Sequence, residues 1–234
     1  MSITVINSLL NTPDNFELVR DQIAAILVAN VSNQMTLAEA ANEDPDDWKL
    51  RIFTERSNPF EEFLNVDPQN SETDTSPLVN IWFDSQSFDR RRGTVNTRQQ
   101  CDATFNIDVY GYGVSVATED GHESSDKSSA IEAQRGMRLV RQILMADINT
   151  YLGLPRGKET DGYFAGRWVE NIQSFQPEID QRPVENVQGM RMTLNTSFNE
   201  TSPQYVNETL ELIDLTVLRK ENGEIYFEQE LDFT

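Results

Sequence analysis

The stretch CDATFNIDV at residues 101–109 alternates apolar and polar residues without a break. Because successive side chains of a strand point to opposite faces of its sheet, this alternation predicts a long β-strand with one buried face. The expected buried set is Cys101, Ala103, Phe105, Ile107 and Val109. Gly111 and Gly113 follow directly, and the backbone freedom of glycine predicts a turn after the strand.

Further strand patterns lie on both sides of this stretch. They occupy residues 48–52, 78–83, 167–175 and 190–198. Near the C-terminus, Asn222 and Gly223 separate two more apolar patterns, and Asn-Gly favours the type I′ turn of a tight hairpin. The sequence therefore predicts a C-terminal β-hairpin at residues 209–231.

Two segments have the apolar spacing of α-helices. The first has Thr12 as N-cap candidate and Pro13 at its first position, and it is expected to end near Asn30. The second begins within residues 125–129 and is expected to run to about Tyr151. Its apolar stripe is Ala133, Met137, Val140, Leu144, Ile148 and Tyr151.

The order helix, strands, helix, strands predicts an α+β fold. We expect one mainly antiparallel β-sheet with two principal α-helices packed on one face, in a single domain over residues 1–234. The sequence has no β-α-β series with glycine-rich turns, so a doubly wound parallel sheet is not expected.

The chain is strongly acidic, with 39 Asp and Glu against 19 Lys and Arg and a net charge of −20. Eleven acids and three bases lie at residues 39–74, and nine acids and two bases lie at residues 199–234. We expect the long acidic loop at residues 55–77 to be exposed and mobile. A negative surface repels phosphate, so nucleic-acid binding without sequence preference is disfavoured.

The chain holds one His and one Cys, which leaves little for zinc sites or nucleophile–base pairs. His122 stands among acids, and their spacing favours a solvated loop over a metal site. Cys101 is expected to be structural. We therefore expect no enzymatic activity, no cofactor and no metal. A metal-dependent hydrolase with clustered carboxylates stays open as an alternative, although pairs such as Asp102 and Asp108 are too common here to be informative.

Arginines cluster in two places, and each cluster has a functional and a plain interpretation. The first cluster, a candidate subunit interface, is Arg90, Arg91, Arg92 and Arg98. These residues either pair with acids of a neighbouring subunit or lie in a solvated loop. The second cluster, on one face of the second helix, is Arg135, Arg138 and Arg141. There, intrahelical pairing and solvation are favoured over an interface.

No apolar run in the sequence is long enough to span a membrane. Residues 1–5 lack the charged start and apolar core of a secretory signal. A single Cys cannot form an internal disulfide, so we expect the cytoplasm, or a particle assembled there, as the location.

Several segments together resemble the tail-terminator and tail-completion proteins of contractile-tailed bacteriophages. They are VNIWFD at 79–84, FNIDVYGYG at 105–113, EAQRGMRLVRQILM at 132–145, SFQPEID at 174–180 and FNETSPQY at 198–205. The likeness spans about residues 78–218. It leaves out the N-terminal helix and the acidic loop, and it contains no catalytic fingerprint.

The resemblance implies a structural virion protein of the tail and neck, assembled in the host cytoplasm. Such a subunit forms a ring, commonly a hexamer, that caps the tail tube and joins the tail to the neck and head-completion proteins. The implied partners are the tail tube, the sheath protein and the neck, with DNA passing through the lumen without specific binding and no membrane involved. Alternatives are another neck, head-completion or baseplate protein, or a DNA-mimic inhibitor.

Overall fold

The structure is a computed structural model that describes residues 13–64, 74–89, 98–118, 121–156, 163–179, 182–183, 186–201, 212–218 and 225–232. Within these ranges the chain forms two α-helices, α1 (Asn15–Ala41) and α2 (Ser125–Met145). The strands in chain order are β1 (Arg51–Thr54), β2 (Leu78–Asp89), β3 (Arg98–Tyr112), β4 (Val116–Thr118), β5 (Gly121–Glu123), β6 (Phe164–Phe175), β7 (Glu178–Ile179), β8 (Arg182–Pro183), β9 (Val187–Thr201), β10 (Leu212–Leu218) and β11 (Ile225–Asp232). Short 3-10 helices lie at Pro45–Trp48, Pro59–Phe63 and Asp147–Asn149.

The chain divides into two compact units, residues 11–200 and a second unit made of residues 1–10 and 201–234. In the second unit, β10 pairs antiparallel with β11, within the segment for which the sequence predicts a hairpin. The expected Asn222-Gly223 turn lies outside the described residues. The single domain over residues 1–234 stays a prediction.

The first unit is built on a five-stranded sheet with the strand order β1-β2-β3-β9-β6. Strand β1 runs parallel to β2, whereas β2–β3 and β6–β9 are antiparallel pairs. The hydrogen bonds from Thr104 to Asn195 and from Thr193 to Asn106 show that β3 and β9 also run in opposite directions. The predicted α+β fold with a mainly antiparallel sheet is therefore confirmed.

Both helices cover the same face of this sheet. The five apolar residues predicted for the buried face of β3 are all 1% exposed or less. They form one core with Val79 and Ile81 of β2, with Met192 and Leu194 of β9, and with apolar residues of α1 and α2. Continuous burial of apolar surface on one face is the main stabilising term for such a sheet.

Helix α1 extends to Ala41, well beyond the predicted end near Asn30. Its apolar stripe continues through Val31 and Ala38, which are 5% and 4% exposed. The helix ends at Asn42, whose backbone is left-handed (φ 58°) and whose N–H bonds to the carbonyls of Ala38 and Glu39. Its N-cap is Asp14, with Glu17 accepting the Asp14 N–H at 2.8 Å, and the predicted N-cap Thr12 lies outside the described residues.

Helix α2 ends at Met145, earlier than the predicted Tyr151. The Asn149 amide donates to the carbonyl of Ile143 at 2.7 Å, and Arg167 donates to the carbonyl of Ala146 at 3.0 Å. These side chains satisfy carbonyls that the helix end leaves without intrahelical partners. The predicted stripe therefore stops at Leu144, and Ile148 is 88% exposed.

Gly111 does not mark a turn, which corrects the prediction, because β3 continues to Tyr112. A Cβ at Gly111 would lie 2.3 Å from both the Ala133 nitrogen and the Ser129 oxygen of α2. Glycine is needed here so that the helix backbone can approach the strand. Gly136 of α2 shows the predicted close packing, since a Cβ there would lie 2.8 Å from Val109 Cγ1.

Part of the predicted acidic loop is buried. In the 3-10 helix Pro59–Phe63, Phe60 and Phe63 are only 5% and 3% exposed. Phe60 packs at a tilt against Tyr110 and Phe63 stacks on Tyr112, with ring centroids 5.4 and 5.3 Å apart. The expectation of an exposed segment is therefore wrong for Pro59, Phe60 and Phe63, because these apolar side chains pack against the sheet.

Candidate binding surfaces

The four arginines predicted as a subunit interface are only partly within the described chain. Arg90, Arg91 and Arg92 lie outside the described residues. Arg98 is the first residue of β3, and its backbone alone is described. Their role as an interface stays a prediction.

The sheet face opposite the helices carries a polar patch in which side chains tie β3 to β9. Thr104 Oγ1 donates to Asn195 Oδ1 at 2.8 Å, and Thr193 Oγ1 donates to Asn106 Oδ1 at 3.1 Å. These contacts join β3 to β9 across one face, because alternate residues of neighbouring strands stand side by side. The result is a hydrogen-bonded polar patch that lies beside a second apolar cluster on the same face, formed by Phe60, Phe63, Leu78, Tyr110, Tyr112 and Val187.

Asp108 is the central charged residue of this polar face, and its side chain is only 3% exposed. Arg191 donates to it twice, from Nε to Oδ1 at 2.7 Å and from Nη2 to Oδ2 at 2.8 Å. Trp82 Nε1 donates to Oδ2 at 3.0 Å, and Tyr110 OH donates to the same oxygen at 3.4 Å. Both carboxylate oxygens are therefore engaged.

The charges of this cluster support one another. Hydrogen bonding to Asp108 raises the pKa of Arg191, and burial opposes that shift. Burial raises the pKa of Tyr110, and the neighbouring Asp108 carboxylate adds to the effect. The guanidinium of Arg191 also lies between two aromatic rings, 5.0 Å from the Trp82 centroid and 5.2 Å from that of Phe175.

A cleft of about 330 Å³ opens beside Asp108 and Arg191. One wall is the segment 55–57, which Asn80 fixes by donating to the Arg56 carbonyl at 2.9 Å and accepting the Arg56 N–H at 3.1 Å. Glu55 has a left-handed backbone (φ 54°), and its carboxylate accepts the Phe83 N–H at 3.1 Å. Asp108 Oδ1 accepts one hydrogen bond and Oδ2 accepts three, so the carboxylate joins residues of β2, β3 and β9 and is suited to fixing these strands.

The sequence alone does not identify the partners of Asp108. Arg191 stands between Met190 and Met192, so the alternation of β9 indicates that it lies opposite the core. No sequence signal shows which acid it meets, because the two residues are 83 positions apart. Asp102 and Asp108 do not converge either, since six residues along one strand span about 20 Å.

The arginines of α2 separate into paired and unpaired residues. Arg135 Nη2 lies 2.6 Å from the carboxylate of Glu132, and the Arg135 guanidinium also donates to the Asp47 carbonyl. Intrahelical pairing is thus present for Arg135. Arg138 and Arg141 are exposed, and within the described part of the chain neither forms an ion pair.

The outer strand of the sheet, β6, presents a long edge. Among the described residues, its outer side pairs only through the bridge between Arg156 and Phe164. Bulges interrupt its pairing with β9 near Gly166 and Asn171, and from Asn171 to Phe175 the register is regular. The unpaired backbone groups of such an edge are a template for pairing with another chain.

The remaining candidates from the sequence are Cys101 and His122. Cys101 is 1% exposed, and burial raises the pKa of its thiol to about 12, which fits a structural residue. His122 belongs to β5, of which the backbone is described. Over the described ranges, no group of three or more His, Cys, Asp or Glu residues is placed to hold a metal ion.

No protein-family model and no curated protein matches this sequence. Neither helix of the described chain is both long enough and apolar enough to cross a membrane.

Proposed function

We propose that this chain is a structural protein of a bacteriophage virion, a tail terminator. In this proposal the subunits form a ring, a hexamer by the resemblance, that caps the tail tube and joins it to the neck. It acts without a catalytic site or cofactor, and DNA passes through the ring without specific binding. The proposal takes the resemblance of residues 78–218 as its starting point.

The edge of β6, which has no strand partner beyond Phe164 among the described residues, is the observation that carries the proposal. A ring of identical subunits needs a heterologous contact, in which one surface of each copy meets a different surface of the next. A regular edge from Asn171 to Phe175 offers backbone donors and acceptors for such a contact. Trp168 and Ile172, which are 44% and 37% exposed on the same strand, add apolar surface.

The hydrogen bonds to both carboxylate oxygens of Asp108 support a structural role over the hydrolase alternative. A general base or metal ligand needs an oxygen lone pair that can reach a substrate or ion. The two Asp108 oxygens instead accept from Arg191, Trp82 and Tyr110. The chain therefore uses its most buried described carboxylate to hold three strands in register.

The net charge of −20 also suits a ring through which DNA moves. A negative wall repels phosphate and prevents adhesion of the DNA. A ring whose lumen is lined mainly by Lys and Arg would contradict this part of the proposal.

The test is assembly on tail tubes, followed by native mass spectrometry and electron microscopy. We expect a ring at one end of each tube, at the neck-proximal side. Monomer at high concentration combined with no binding to tubes would contradict the proposal. A ring located in the head or the baseplate would instead favour another connector protein.

An edge variant gives the test a matched control. Asn171→Lys with Gln173→Lys places two cations on the exposed edge and is expected to weaken ring formation, since edge lysines oppose strand pairing. Ser32→Lys with Asn33→Lys makes the same charge change at exposed positions of α1. We expect this control pair to leave assembly unchanged.

A further inference from the structure

The five-stranded sheet has two outer strands, β1 and β6. The outer side of β6 pairs only through the bridge at Phe164, so residues 171–175 have no strand beside them in the described chain. The side chains of residues 170–174 are all exposed. Strand β6 therefore ends the sheet with a backbone edge that another strand can extend.

Strand β1 forms the opposite edge of the same sheet. The N–H groups of Arg51 and Glu55 donate to carbonyls on the β2 side at 3.0 and 2.9 Å. Because alternate residues of a parallel strand bond to the same neighbour, the backbone groups of Ile52 and Thr54 point away from β2. Among the described residues, no strand and no backbone group bonds to them.

Both edges lack the features that usually prevent strand pairing, namely exposed charges, proline and bulges. Residues 171–175 contain no charged residue and no proline, and their register with β9 is regular. Strand β1 pairs with β2 without a register shift. Its one charged residue, Arg51, is already paired with Glu62 at 3.1 Å. Each edge is thus suited to accept a further strand.

The two outer strands run in opposite directions. Strand β1 follows the direction of β2, and the antiparallel pairs β2–β3, β3–β9 and β9–β6 reverse that direction three times. When a second copy continues the sheet in the same orientation, its β1 therefore meets β6 as an antiparallel strand, which is the more stable kind of pair. The contact uses a different surface of each copy, as a ring requires.

The faces of the two strands also agree. Ile172 lies opposite Met192 of β9, which belongs to the core under the helices. Ile52 of β1 packs against the same core. By the alternation of a strand, Ser174 and Thr54 lie on this side as well. A register that places Ile172 opposite Ile52 or Thr54 keeps the helices of both copies on one side of the extended sheet.

Apolar surface flanks the β6 edge on both faces of the sheet. Trp168 and Ile172 of β6 are 44% and 37% exposed. Arg167 holds the end of α2 beside this strand, donating to the carbonyls of residues 146 and 149 at 3.0 and 2.8 Å and to Met145 Sδ at 3.2 Å. Ile148, in the segment held by Arg167, is 88% exposed. A second copy that continues the sheet covers this surface.

We infer that β6 of one copy pairs antiparallel with β1 of a second copy of this chain, so that residues 171–175 extend the neighbouring sheet at residues 51–54. The inference rests on the proposed function, since it supposes a ring of subunits. It adds the second surface of the subunit contact, the direction of the strands and the side on which the helices lie.

Cysteine cross-linking in the full-length protein tests the contact. Thr54→Cys with Ile172→Cys places both thiols on the helix side, whereas Thr54→Cys with Gln173→Cys places one thiol on the opposite face and serves as the control. Both variants are assembled on tail tubes and treated with a short bifunctional thiol reagent. We expect a ladder of covalent multimers from the first variant and mainly monomer from the control. The native Cys101 adds no background, because it is buried and its pKa is raised to about 12.

Hydrogen exchange of the wild-type protein gives a measurement that needs no variant. On assembly, we expect peptides that cover residues 51–54 and 171–175 to exchange more slowly than in the monomer, because amides of both segments gain hydrogen-bond partners. Residues 101–109 of β3 are the internal control, since this strand already has a neighbour on each side. Slower exchange in only one of the two edge segments would contradict the pairing.

The outcomes separate this inference from the proposed function. A ring that forms without a ladder and without slower exchange at residues 51–54 would overturn the inference and leave the ring function standing. A cross-linked dimer of Ile172→Cys alone would show that β6 pairs with β6 of a second copy, which excludes the contact with β1. Absence of any oligomer on or off the tube would overturn both proposals.

Discussion

Arg191 donates two hydrogen bonds of 2.7 and 2.8 Å to the Asp108 carboxylate across the β3–β9 strand pair. The carboxylate is almost fully buried, whereas the arginine side chain is 31% exposed between the rings of Trp82 and Phe175. The pair thus fixes the register of the two central strands on the face that the helices do not cover. Paired guanidinium and carboxylate groups of this geometry are the strong class of hydrogen bonds.

Removal of the Arg191 cation is expected to be costly. In Arg191→Met, the methionine side chain still packs between the rings of Trp82 and Phe175. The Asp108 charge is then buried without a compensating cation, which lowers the free energy of unfolding by about 3 kcal/mol. The double variant with Asp108→Asn should lose less than Arg191→Met alone, because the buried charge is gone. Urea unfolding curves measure both changes. A double variant that loses the sum of the two single losses would contradict the coupling.

Replacement of Gly111 tests the contact between β3 and α2. Gly111→Ala is expected to destabilise the protein by more than about 3 kcal/mol, because the new Cβ meets helix backbone atoms that cannot move independently. Gly166→Ala in β6 is the matched control, since a Cβ there has no atom within 4 Å. Thermal unfolding of both variants gives the comparison. Equal melting temperatures would show that α2 can shift away from the strand.

The sequence predicts the central strand well and its neighbours only in part. Alternation in residues 101–109 identifies the buried set, because the period of two is a local property of one strand. The helix α1 is longer than its sequence pattern predicts, and Val31 and Ala38 continue its buried stripe. The role of Gly111 was not predictable, since the helix that approaches it is placed by tertiary packing.

The cluster around Asp108 and Arg191 could also be predicted only in part from the sequence. The alternation places Asp108 and Arg191 on the face away from the core, each within its own strand. Their contact depends on the strand order, in which β9 lies between β3 and β6. Strand order is set by packing over the whole sheet, so a local pattern can identify the members of the cluster and not the pairs that they form.

The buried part of the acidic segment gives a third prediction. Phe63→Ala removes a ring that is 3% exposed and stacked on Tyr112, and we expect a loss of about 3 kcal/mol. Leu64→Ala, one residue further, changes a side chain that is 49% exposed and should cost less than about 0.5 kcal/mol. Equal effects in chemical denaturation would mean that residues 59–63 do not pack on the sheet in solution.

Asp74 gives a prediction for acid pH. Burial alone would raise the pKa of its carboxyl, but hydrogen bonds from Ser76 and contact with Lys49 outweigh burial and lower it to about 2. Because the folded pKa lies below the ordinary value of 3.8, the ionised carboxyl stabilises the protein above pH 3.8. That stabilisation is lost as the pH falls through the folded pKa, between about pH 4 and pH 2.

The comparison of the wild type with Asp74→Asn isolates this effect. The difference in unfolding free energy should be constant near neutral pH and shrink as the pH falls below about 4, with most of it lost by about pH 2. Its size is small, since Asp74 and Lys49 are 35% and 37% exposed and solvent screens the pair. Asp21→Asn is the control, because its carboxylate is 61% exposed beside Arg20. A difference that stays constant down to pH 2 would show that the Asp74 carboxyl is not held by Ser76 and Lys49.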